Sequence, residues 1–352
     1  FDIHHAFMSF SQEIIHWYRA NKRSLPWRET KDPYLIWLSE IILQQTKVAQ
    51  GTPYYVAFTD AFPTVFNLAA ASEEQVLKLW QGLGYYSRAR NLHVAAQYIV
   101  NELNGVFPTD YKALRQLKGV GDYTASAIAS ICFNAPEAVL DGNVYRVLSR
   151  YFGIDVPVNT TEGARLFKTI ALDQLDLANP SDYNQGIMEF GALQCTPKLT
   201  DCPSCPLLTT CVAYQTEKVT VLPVKLPKQK PVKVYHYYFV FVDPFGNTLY
   251  EKRAGKGIWE GLYQFPLAAF SSPRAVEGLL TSKEVAIDLS FCENAKYFVY
   301  HDSYIVHKLT HRHIYATFIV IETPATLKEG IPFISIDQFP TAVLISDFIN
   351  AF

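Results

Sequence analysis

The sequence predicts a multidomain protein with an all-α N-terminal part and an α+β C-terminal part, for three reasons. Apolar residues recur at helical spacing from the start to about residue 215, without a convincing strand pattern. Residues 216–234 then set three prolines among five lysines, which excludes a helix and indicates an extended, semi-rigid linker. Aromatic and β-branched runs typical of strands follow. We therefore expect domains at residues 1–215 and 235–352, joined by the 216–234 linker.

Composition limits the class of protein without identifying it. The 352 residues are 49% hydrophobic, enough to fill at least two cores. The formal net charge of −2 gives no global sign of a polyanionic partner, so any nucleic-acid surface must be a local one. No apolar run reaches membrane-spanning length, and the first ten residues lack the features of a signal peptide. We therefore expect a soluble, cytoplasmic protein that does not bind membranes.

The stretch PYLIWLSEIILQQT, residues 33–46, predicts a helix that is apolar on most faces. Asp32 is suited to the N-cap, and Pro33 to the first helical position. Glu40 lies in the middle of this helix, where a carboxylate costs free energy unless it is paired or holds a proton. Glu40 is therefore a candidate for general acid catalysis, or for an ion pair with Arg23 or Arg28.

Further helices are expected in the stretches EEQVLKLWQGLG, RNLHVAAQYIVNEL, TASAIASICF and VYRVLSRYF. Before the third of these, Gly119 and Gly121 in LKGVGDYTASAIAS, residues 117–130, permit a tight turn between two helices. Asp141 begins the stretch DGNVYRVLSR and is suited to the N-cap of the helix that follows.

Four of the six cysteines lie within seventeen residues, in a C-x6-C-x2-C-x5-C pattern. Such a set of thiolates is typical of zinc or an iron-sulfur cluster, and the single C-x2-C pair favours the cluster. The four cysteines are Cys195, Cys202, Cys205 and Cys211. Cys132 and Cys292 stand alone and are expected to fill space in a core.

In the C-terminal part, VYHYYFVFV, the turn DPFGN and TLYEKR predict a β-hairpin, and RHIYATFIVIE predicts another strand.

The cysteine spacing resembles the cluster loop of the endonuclease III superfamily of DNA glycosylases, which implies one 4Fe-4S cluster in residues 195–211. Residues 117–130 resemble the helix-hairpin-helix of that superfamily, whose free backbone N–H groups face a DNA phosphate. Within the superfamily, the stretches LPWR, WLSEIILQQT, GLGYYSRARNLH and GIWEGLYQFPL are similar to the MutY family of adenine DNA glycosylases.

This resemblance assigns catalytic roles to three residues. Glu40 would protonate adenine at N7, and Asp141 would stay ionised and stabilise the sugar cation. Tyr123 stands where endonuclease III has a lysine that attacks the sugar. Without that amine, we expect a monofunctional glycosylase that hydrolyses the N-glycosidic bond and does not cleave the strand.

The resemblance also assigns binding residues. Those expected around the extruded adenine are Arg23, Leu25, Trp27, Arg28, Gln185 and Met188. Those expected to contact the opposing lesion or DNA are Gln45, Thr46, Leu83, Tyr85, Ser87, Arg88, Gly119, Gly121, Thr124, Asn143, Thr310 and His311, with Arg90 as a further phosphate contact. Packing in a core is the alternative for Leu25, Trp27 and Tyr85, and solvated surface is the alternative for the arginines.

The C-terminal domain of MutY-type enzymes is similar to Nudix hydrolases. Those hydrolases hold metal on a glutamate-dense helix, whereas here only Glu260 and Glu277 follow Trp259, too few for a metal cage. The stretch Leu309–Thr310–His311 falls where the family commonly has Phe-Ser-His, a loop that reads 8-oxoguanine. We therefore expect recognition rather than hydrolysis, with an exposed histidine-rich strand as the alternative.

The expected function is excision of adenine opposite 8-oxoguanine in double-stranded DNA, by a monomer associated with a bacterial nucleoid. Two alternatives are a bifunctional endonuclease III-type enzyme acting on oxidised pyrimidines and a catalytically silent iron-sulfur DNA-binding protein. Tyr123 disfavours the first, and the presence of both Glu40 and Asp141 disfavours the second.

Overall fold

The computed structural model describes residues 9–227, 229–280, 285, 287 and 295–352. Cys292, expected in a core, lies outside the described residues. The chain forms two compact units. The helical unit comprises Phe1–Ala70 and Asn91–Pro227, and the sheet unit comprises Ala71–Arg90 and Lys228–Phe352. None of the described helices is long and apolar enough to cross a membrane.

The first 215 residues form helices where described, as the apolar periodicity predicts. These helices are α1 (Phe10–Asn21), α2 (Pro33–Leu43), α3 (Val48–Ala61), α4 (Val65–Ala70), α5 (Glu73–Leu79), α6 (Ser87–Leu103), α7 (Tyr111–Leu114), α8 (Asp122–Phe133), α9 (Gly142–Phe152), α10 (Thr161–Asp173), α11 (Pro180–Leu193) and α12 (Val212–Gln215), with a short 3-10 helix at Pro26–Arg28. The four helical stretches named above fall in α5, α6, α8 and α9.

Helix α2 begins as predicted. The Asp32 side chain accepts a hydrogen bond from Tyr34 N at 2.8 Å, and Pro33 occupies the first turn. The apolar faces of α2 supply the core, where Trp37 and Leu38 are fully buried. Because α2 packs against other parts of the protein on several sides, a polar side chain on this helix is surrounded largely by protein atoms.

The turn between α7 and α8 depends on Gly119. Its φ of +79° lies in the left-handed region, and a Cβ there would approach Asn91 Cβ to 2.7 Å. Gly121 has an ordinary extended φ of −90° and forms the N-cap of α8, where its backbone is exposed. The two glycines thus act differently: Gly119 makes the turn, and Gly121 caps α8 beside open space, where a Cβ would meet no atom within 4 Å.

The sheet unit is built on two long parallel strands. β1 (Val232–Val242) pairs with β8 (Arg312–Glu322) from Val232 beside Arg312 to Val242 beside Glu322. β5 (Leu267–Phe270) lies antiparallel on the other side of β1, and β6 (Lys296–Val299) and β7 (Ile305–Lys308) lie antiparallel to β8. The core of this unit includes Tyr237, Phe239, Phe241, Ile319 and Ile321.

The strand predicted at RHIYATFIVIE is confirmed as β8. Of the predicted hairpin, the turn at residues 243–247 forms, with Asp243 N donating to the Asn247 carbonyl at 3.0 Å, but the pairing of its two strands is wrong. β2 (Asn247–Thr248) pairs with β9 (Ile331–Pro332), and β3 (Glu251–Lys252) pairs with β4 (Tyr263–Gln264). Residues 237–241 of β1 are buried one after another, which is the pattern of a central strand. Strands β5 and β8, which are distant from β1 in sequence, pair with its two edges. The turn that directly follows β1 therefore does not determine which strands pair with it.

The sheet unit is completed by α13 (Val276–Leu279), a 3-10 helix at Phe333–Gln338 and α14 (Val343–Ala351). Residues 71–90 belong to it, although the sequence places them within the 1–215 domain. They are joined to it by hydrogen bonds: Glu74 accepts from the Tyr263 hydroxyl at 2.6 Å, and Arg90 donates to the Glu260 carbonyl at 2.7 Å.

Candidate active site

Glu40 lies near the C-terminal end of α2 in the helical unit, with its carboxyl group close to Tyr123 and Asp141. Burial raises its pKa from 4.5 to about 7, and the negative charge of Asp141 adds to the rise. A hydrogen bond with Tyr123 and the charge of Arg28 act in the opposite direction. Glu40 therefore carries a transferable proton near neutral pH.

Tyr123 lies in the first turn of α8, beside Glu40. Burial holds the pKa of its hydroxyl well above the usual value, and the charges of Glu40 and Asp141 raise it further. The hydroxyl lies 3.2 Å from Met188 Sδ on α11. Tyr123 thus keeps its proton and contacts Glu40 on one side and Met188 on the other.

Asp141 is the N-cap of α9, as predicted. Its Oδ1 accepts hydrogen bonds from the backbone N–H groups of Asn143 and Val144, both at 2.8 Å, and Oδ2 accepts from Asn143 Nδ2 at 2.7 Å. Burial raises the pKa of Asp141, while these hydrogen bonds lower it in part. Asp141 can therefore be both the N-cap of α9 and a catalytic carboxylate. The capping hydrogen bonds fix the position of the carboxylate, whose charge raises the pKa of Glu40.

The alternative for Glu40, an ion pair with Arg23 or Arg28, is not what the structure shows. Arg23 and Arg28 both pair with Glu189 on α11, at 2.6 and 2.8 Å. The Glu189 side chain is only 1% exposed. Although burial opposes ionisation, the hydrogen bonds from the two guanidinium groups hold its pKa at about 2. Glu189 is therefore a fixed anion.

Glu189 is not among the residues expected from the sequence, although a local signal for it is present. It lies in the apolar stretch GIMEFGAL of α11, and a single carboxylate in such a stretch is the same pattern that drew attention to Glu40. Glu189 directly follows Met188, which contacts Tyr123. It is therefore a further candidate residue of the site.

Of the residues expected around adenine, some are buried in the core and others line an open cavity. Leu25 and Trp27 are buried, and Trp27 packs edge-on against Tyr55 with ring centroids 5.2 Å apart. Arg28 and Gln185 instead line an open polar cavity of about 410 Å³. Gln185 accepts a hydrogen bond from the Tyr18 hydroxyl at 3.3 Å.

The four clustered cysteines line one small cavity in the helical unit. All four thiols are free, and Arg150 donates to Cys195 Sγ at 3.4 Å. Within the described part of the chain, no group of three or more His, Cys, Asp or Glu side chains is spaced to hold a single metal ion. Arg146 joins this loop to α9, donating to the Cys195 carbonyl at 2.7 Å and to Asn143 Oδ1 at 2.9 Å.

Thr124 and Gln45 lie near the end of α2. Thr124 is buried, and its hydroxyl oxygen accepts a hydrogen bond from Gln44 Nε2 at 3.2 Å. Gln45 follows with a left-handed φ of 56° and is exposed, and Thr46 is half-buried. Gln45 is thus presented to solvent, whereas Thr124 supports the end of the helix.

In the sheet unit, a cavity of about 560 Å³ brings together six of the residues expected to contact the lesion or DNA. They are Leu83, Tyr85, Ser87, Arg90, Thr310 and His311. Tyr85 and Thr310 form a hydrogen bond between their hydroxyl groups at 2.8 Å. Trp259 and His307 also line this cavity, with their rings 5.6 Å apart. We refer to this cavity as the 310 pocket.

Arg88 and Arg90, expected at phosphates, have protein partners in the sheet unit. The Arg88 side chain is buried, and its Nη2 donates to the carbonyls of Leu83 and Gly84 at 3.4 and 3.2 Å. Arg90 also forms an ion pair with Glu260 at 3.3 Å. Ser87 is exposed.

Comparison with known proteins agrees with these observations. Residues 38–168 match the model of the HhH-GPD superfamily of base excision DNA repair proteins. An adenine DNA glycosylase from Buchnera aphidicola subsp. Baizongia pistaciae is 38% identical over 258 residues, which are 73% of each chain. One from Buchnera aphidicola subsp. Acyrthosiphon pisum is 35% identical over 317 residues, covering 90% of this chain and 87% of that protein. The human adenine DNA glycosylase is 43% identical over 216 residues, 59% of this chain and 40% of the human protein.

Solved structures also match part of the chain. A thermostable thymine-DNA glycosylase, 28% identical, gives a TM-score of 0.55 and covers 59% of this chain and 95% of that one. An endonuclease III in complex with DNA gives 0.51 at 22% identity, covering 59% of this chain and 94% of the other, a likeness of fold alone. On these comparisons, the chain belongs to the adenine DNA glycosylase family, within the HhH-GPD superfamily.

Proposed function

We propose that this protein is a monofunctional DNA glycosylase that excises adenine paired with 8-oxoguanine from double-stranded DNA. The observation that supports this most directly is the buried acid Glu40, with a pKa of about 7, next to Tyr123 and Asp141. Adenine is a poor leaving group as an anion, and an acid poised at neutral pH removes that difficulty.

Glu40 donates its proton to N7 of the extruded adenine as the bond between C1′ and N9 breaks. The electron pair of that bond stays on N9, so the base leaves uncharged and the sugar becomes an oxocarbenium-like cation. Water then adds to C1′ and loses a proton to the Glu40 carboxylate, which restores the acid and leaves free adenine and an abasic site. With a pKa of about 7, about half of the Glu40 groups carry the proton at neutral pH.

Asp141 stabilises the sugar cation as a carboxylate. The three hydrogen bonds from Asn143 and Val144 favour the ionised form and hold the carboxylate in one orientation. Asn143 thereby acts through Asp141.

Tyr123 orients the acid through its hydrogen bond with Glu40. Its hydroxyl has no amine nitrogen to form a Schiff base, so strand cleavage by β-elimination does not follow base release. Around the base, Arg28 and Gln185 supply hydrogen-bonding groups for the edge of the purine, and the fixed anion Glu189 holds the Arg28 guanidinium in place.

A 4Fe-4S cluster would be held by Cys195, Cys202, Cys205 and Cys211. The set of four thiols fits this group because all four face one cavity and Arg150 places a positive charge at Cys195. Held by these four thiols, a cluster would supply a cross-link within the 195–211 loop. Arg146 then connects the loop to Asn143, the side chain that orients Asp141.

The 310 pocket reads the base opposite adenine. Its described lining contains hydroxyl groups, imidazoles and aromatic rings, suited to hydrogen bonding and stacking with a purine. Leu309 supplies an aliphatic contact where related enzymes commonly have an aromatic ring. The pocket recognises the lesion and does no hydrolysis itself, which is the role proposed for a Nudix-like domain at residues 235–352.

Gly119 and Gly121 hold a DNA phosphate at the first turn of α8. A single copy of the chain acts on the duplex.

The test is a base-release assay on three duplexes, carrying adenine opposite 8-oxoguanine, thymine glycol, or neither, each with and without alkali. We expect free adenine from the first duplex only, with strand breaks appearing only after alkali. Breaks at thymine glycol without alkali would instead indicate a bifunctional enzyme. Binding without release would indicate a silent DNA-binding protein.

A further inference from the structure

The turn that carries Tyr85 has an unusual backbone. Gly82, Gly84 and Tyr85 have φ values of 93°, 74° and 47°, all in the left-handed region. Glycine adopts this conformation freely, but a tyrosine there is strained and persists only where its surroundings fix it. The position of the Tyr85 ring, which is half exposed, therefore depends on whatever holds residues 82–85.

Two buried side chains hold this turn through the same carbonyl. Trp80 Nε1 donates to the Gly84 carbonyl at 2.9 Å, and Arg88 Nη2 donates to it at 3.2 Å. The same Arg88 nitrogen lies 3.4 Å from the Leu83 carbonyl. Arg88 thus spans two successive peptide groups immediately before Tyr85.

The guanidinium group of Arg88 also contacts two aromatic rings. Its Cζ lies 5.0 Å from the Trp80 ring centroid and 5.7 Å from that of Tyr85. A planar guanidinium can donate along its edge while its faces meet rings, whereas the ammonium group of lysine cannot do both. Burial lowers the pKa of Arg88 to about 10, so the side chain remains charged at neutral pH.

At the other end of the turn, the Tyr85 hydroxyl meets Thr310 in the 310 pocket. A chain of contacts therefore runs from Arg88, through the Gly84 carbonyl and the strained Tyr85 backbone, to Thr310. The sequence places Arg88 at a DNA phosphate, but only 9% of its surface is exposed.

We propose that Arg88 is a positioning residue, whose buried guanidinium fixes the 82–85 turn so that Tyr85 meets Thr310 and the pocket can discriminate the base opposite adenine. Its effect on discrimination rests on the proposed function, whereas its effect on the turn does not. Arg88 acts on specificity through Tyr85 and takes no part in proton transfer.

The first test is hydrogen exchange of the free protein, which needs no activity. Arg88→Lys keeps the charge but loses the planar donor edge. We expect exchange at the amides of residues 82–86 to rise about tenfold, with α8 unchanged. Arg165→Lys, on the exposed surface of α10, is the control and should change neither region. Parent-like exchange at residues 82–86 in Arg88→Lys would overturn the proposal.

The second test compares single-turnover adenine release opposite 8-oxoguanine and opposite guanine. We expect Arg88→Lys to lower the ratio of the two rates about as much as Tyr85→Phe does. Combining the two changes should give no further loss, because both act through one contact. Equal loss on both substrates, or additive losses in the double variant, would show that Arg88 only stabilises the fold. If the parent releases no adenine, the proposed function fails, while the exchange result still decides whether Arg88 fixes the turn.

Discussion

The hydroxyl groups of Tyr85 and Thr310 lie 2.8 Å apart, although the two residues are 225 positions apart in the chain. Both line the 310 pocket of the sheet unit. The hydrogen bond gives the exposed Tyr85 side chain a fixed partner and leaves one hydroxyl hydrogen of the pair for another acceptor. The pair is therefore suited to sense a hydrogen-bonding group that distinguishes an oxidised guanine from guanine.

Thr310→Val tests this pair, since valine keeps the shape and removes the hydroxyl. We expect adenine release opposite 8-oxoguanine to slow by up to about tenfold, as for a lost hydrogen bond, with release opposite guanine nearly unchanged. Single-turnover rates on the two duplexes measure this. Thr326→Val, in an exposed loop of the same unit, is the control. An equal loss on both duplexes would place Thr310 outside lesion recognition.

Tyr123→Phe should shift the pH dependence of base release. Only protonated Glu40 can donate, so the rate falls about tenfold per pH unit above its pKa of about 7. The Tyr123 hydrogen bond lowers that pKa, so its removal raises it. The alkaline limb of the pH–rate profile should therefore move to higher pH. A limb that stays in place, or moves to lower pH, would show that Tyr123 does not act on Glu40.

Glu189→Gln should destabilise the helical unit, because Arg23 and Arg28 lose a buried anion. Breaking such a pair from one side costs about 3–5 kcal/mol. The pKa of Glu189 is lowered from 4.5 to about 2, so its contribution is fully present above about pH 4.5 and is lost as the pH falls toward 2. Denaturant unfolding of parent and variant at several pH values should show this gap closing in acid. Glu162→Gln, exposed on α10, should show no gap, and a gap independent of pH for Glu189→Gln would contradict the assignment.

Cys205→Ser should reduce iron content and visible absorbance of the purified protein. Serine is a poor ligand for an iron-sulfur cluster, and Cys205 lines the cavity with the other three cysteines. Metal analysis and absorbance spectra measure the effect. Cys132→Ser is the matched control, because Cys132 does not line that cavity. A parent protein that is colourless and holds zinc stoichiometrically would contradict the iron-sulfur proposal.

Local signals were sufficient to predict the helices and two caps of the helical unit. Asp32 and Asp141 cap the helices that follow them because a carboxylate next to a helix start has a partner within three residues. Glu40 was identified for a similar reason, since its apolar neighbours are neighbours in sequence. Such features need no knowledge of distant segments.

Local signals could not predict strand pairings and side-chain contacts between residues that are distant in sequence. The β1 strand lies between β5 and β8 instead of forming a hairpin, because burial on both faces makes it central. Arg88 is expected from the sequence at a DNA phosphate, but the turn before it folds back over its guanidinium and buries it. Glu189 carries a local signal like that of Glu40, but its two arginine partners lie more than 160 residues away and could not be predicted from it.

Whether Glu40 donates a proton to adenine is tested most directly by single-turnover release of adenine by Glu40→Gln at pH 7. Loss of a general acid should lower the rate by about 10²–10⁴-fold, with affinity for the duplex within about twofold of the parent. Release at the parent rate by a variant that binds duplex normally would contradict the claim.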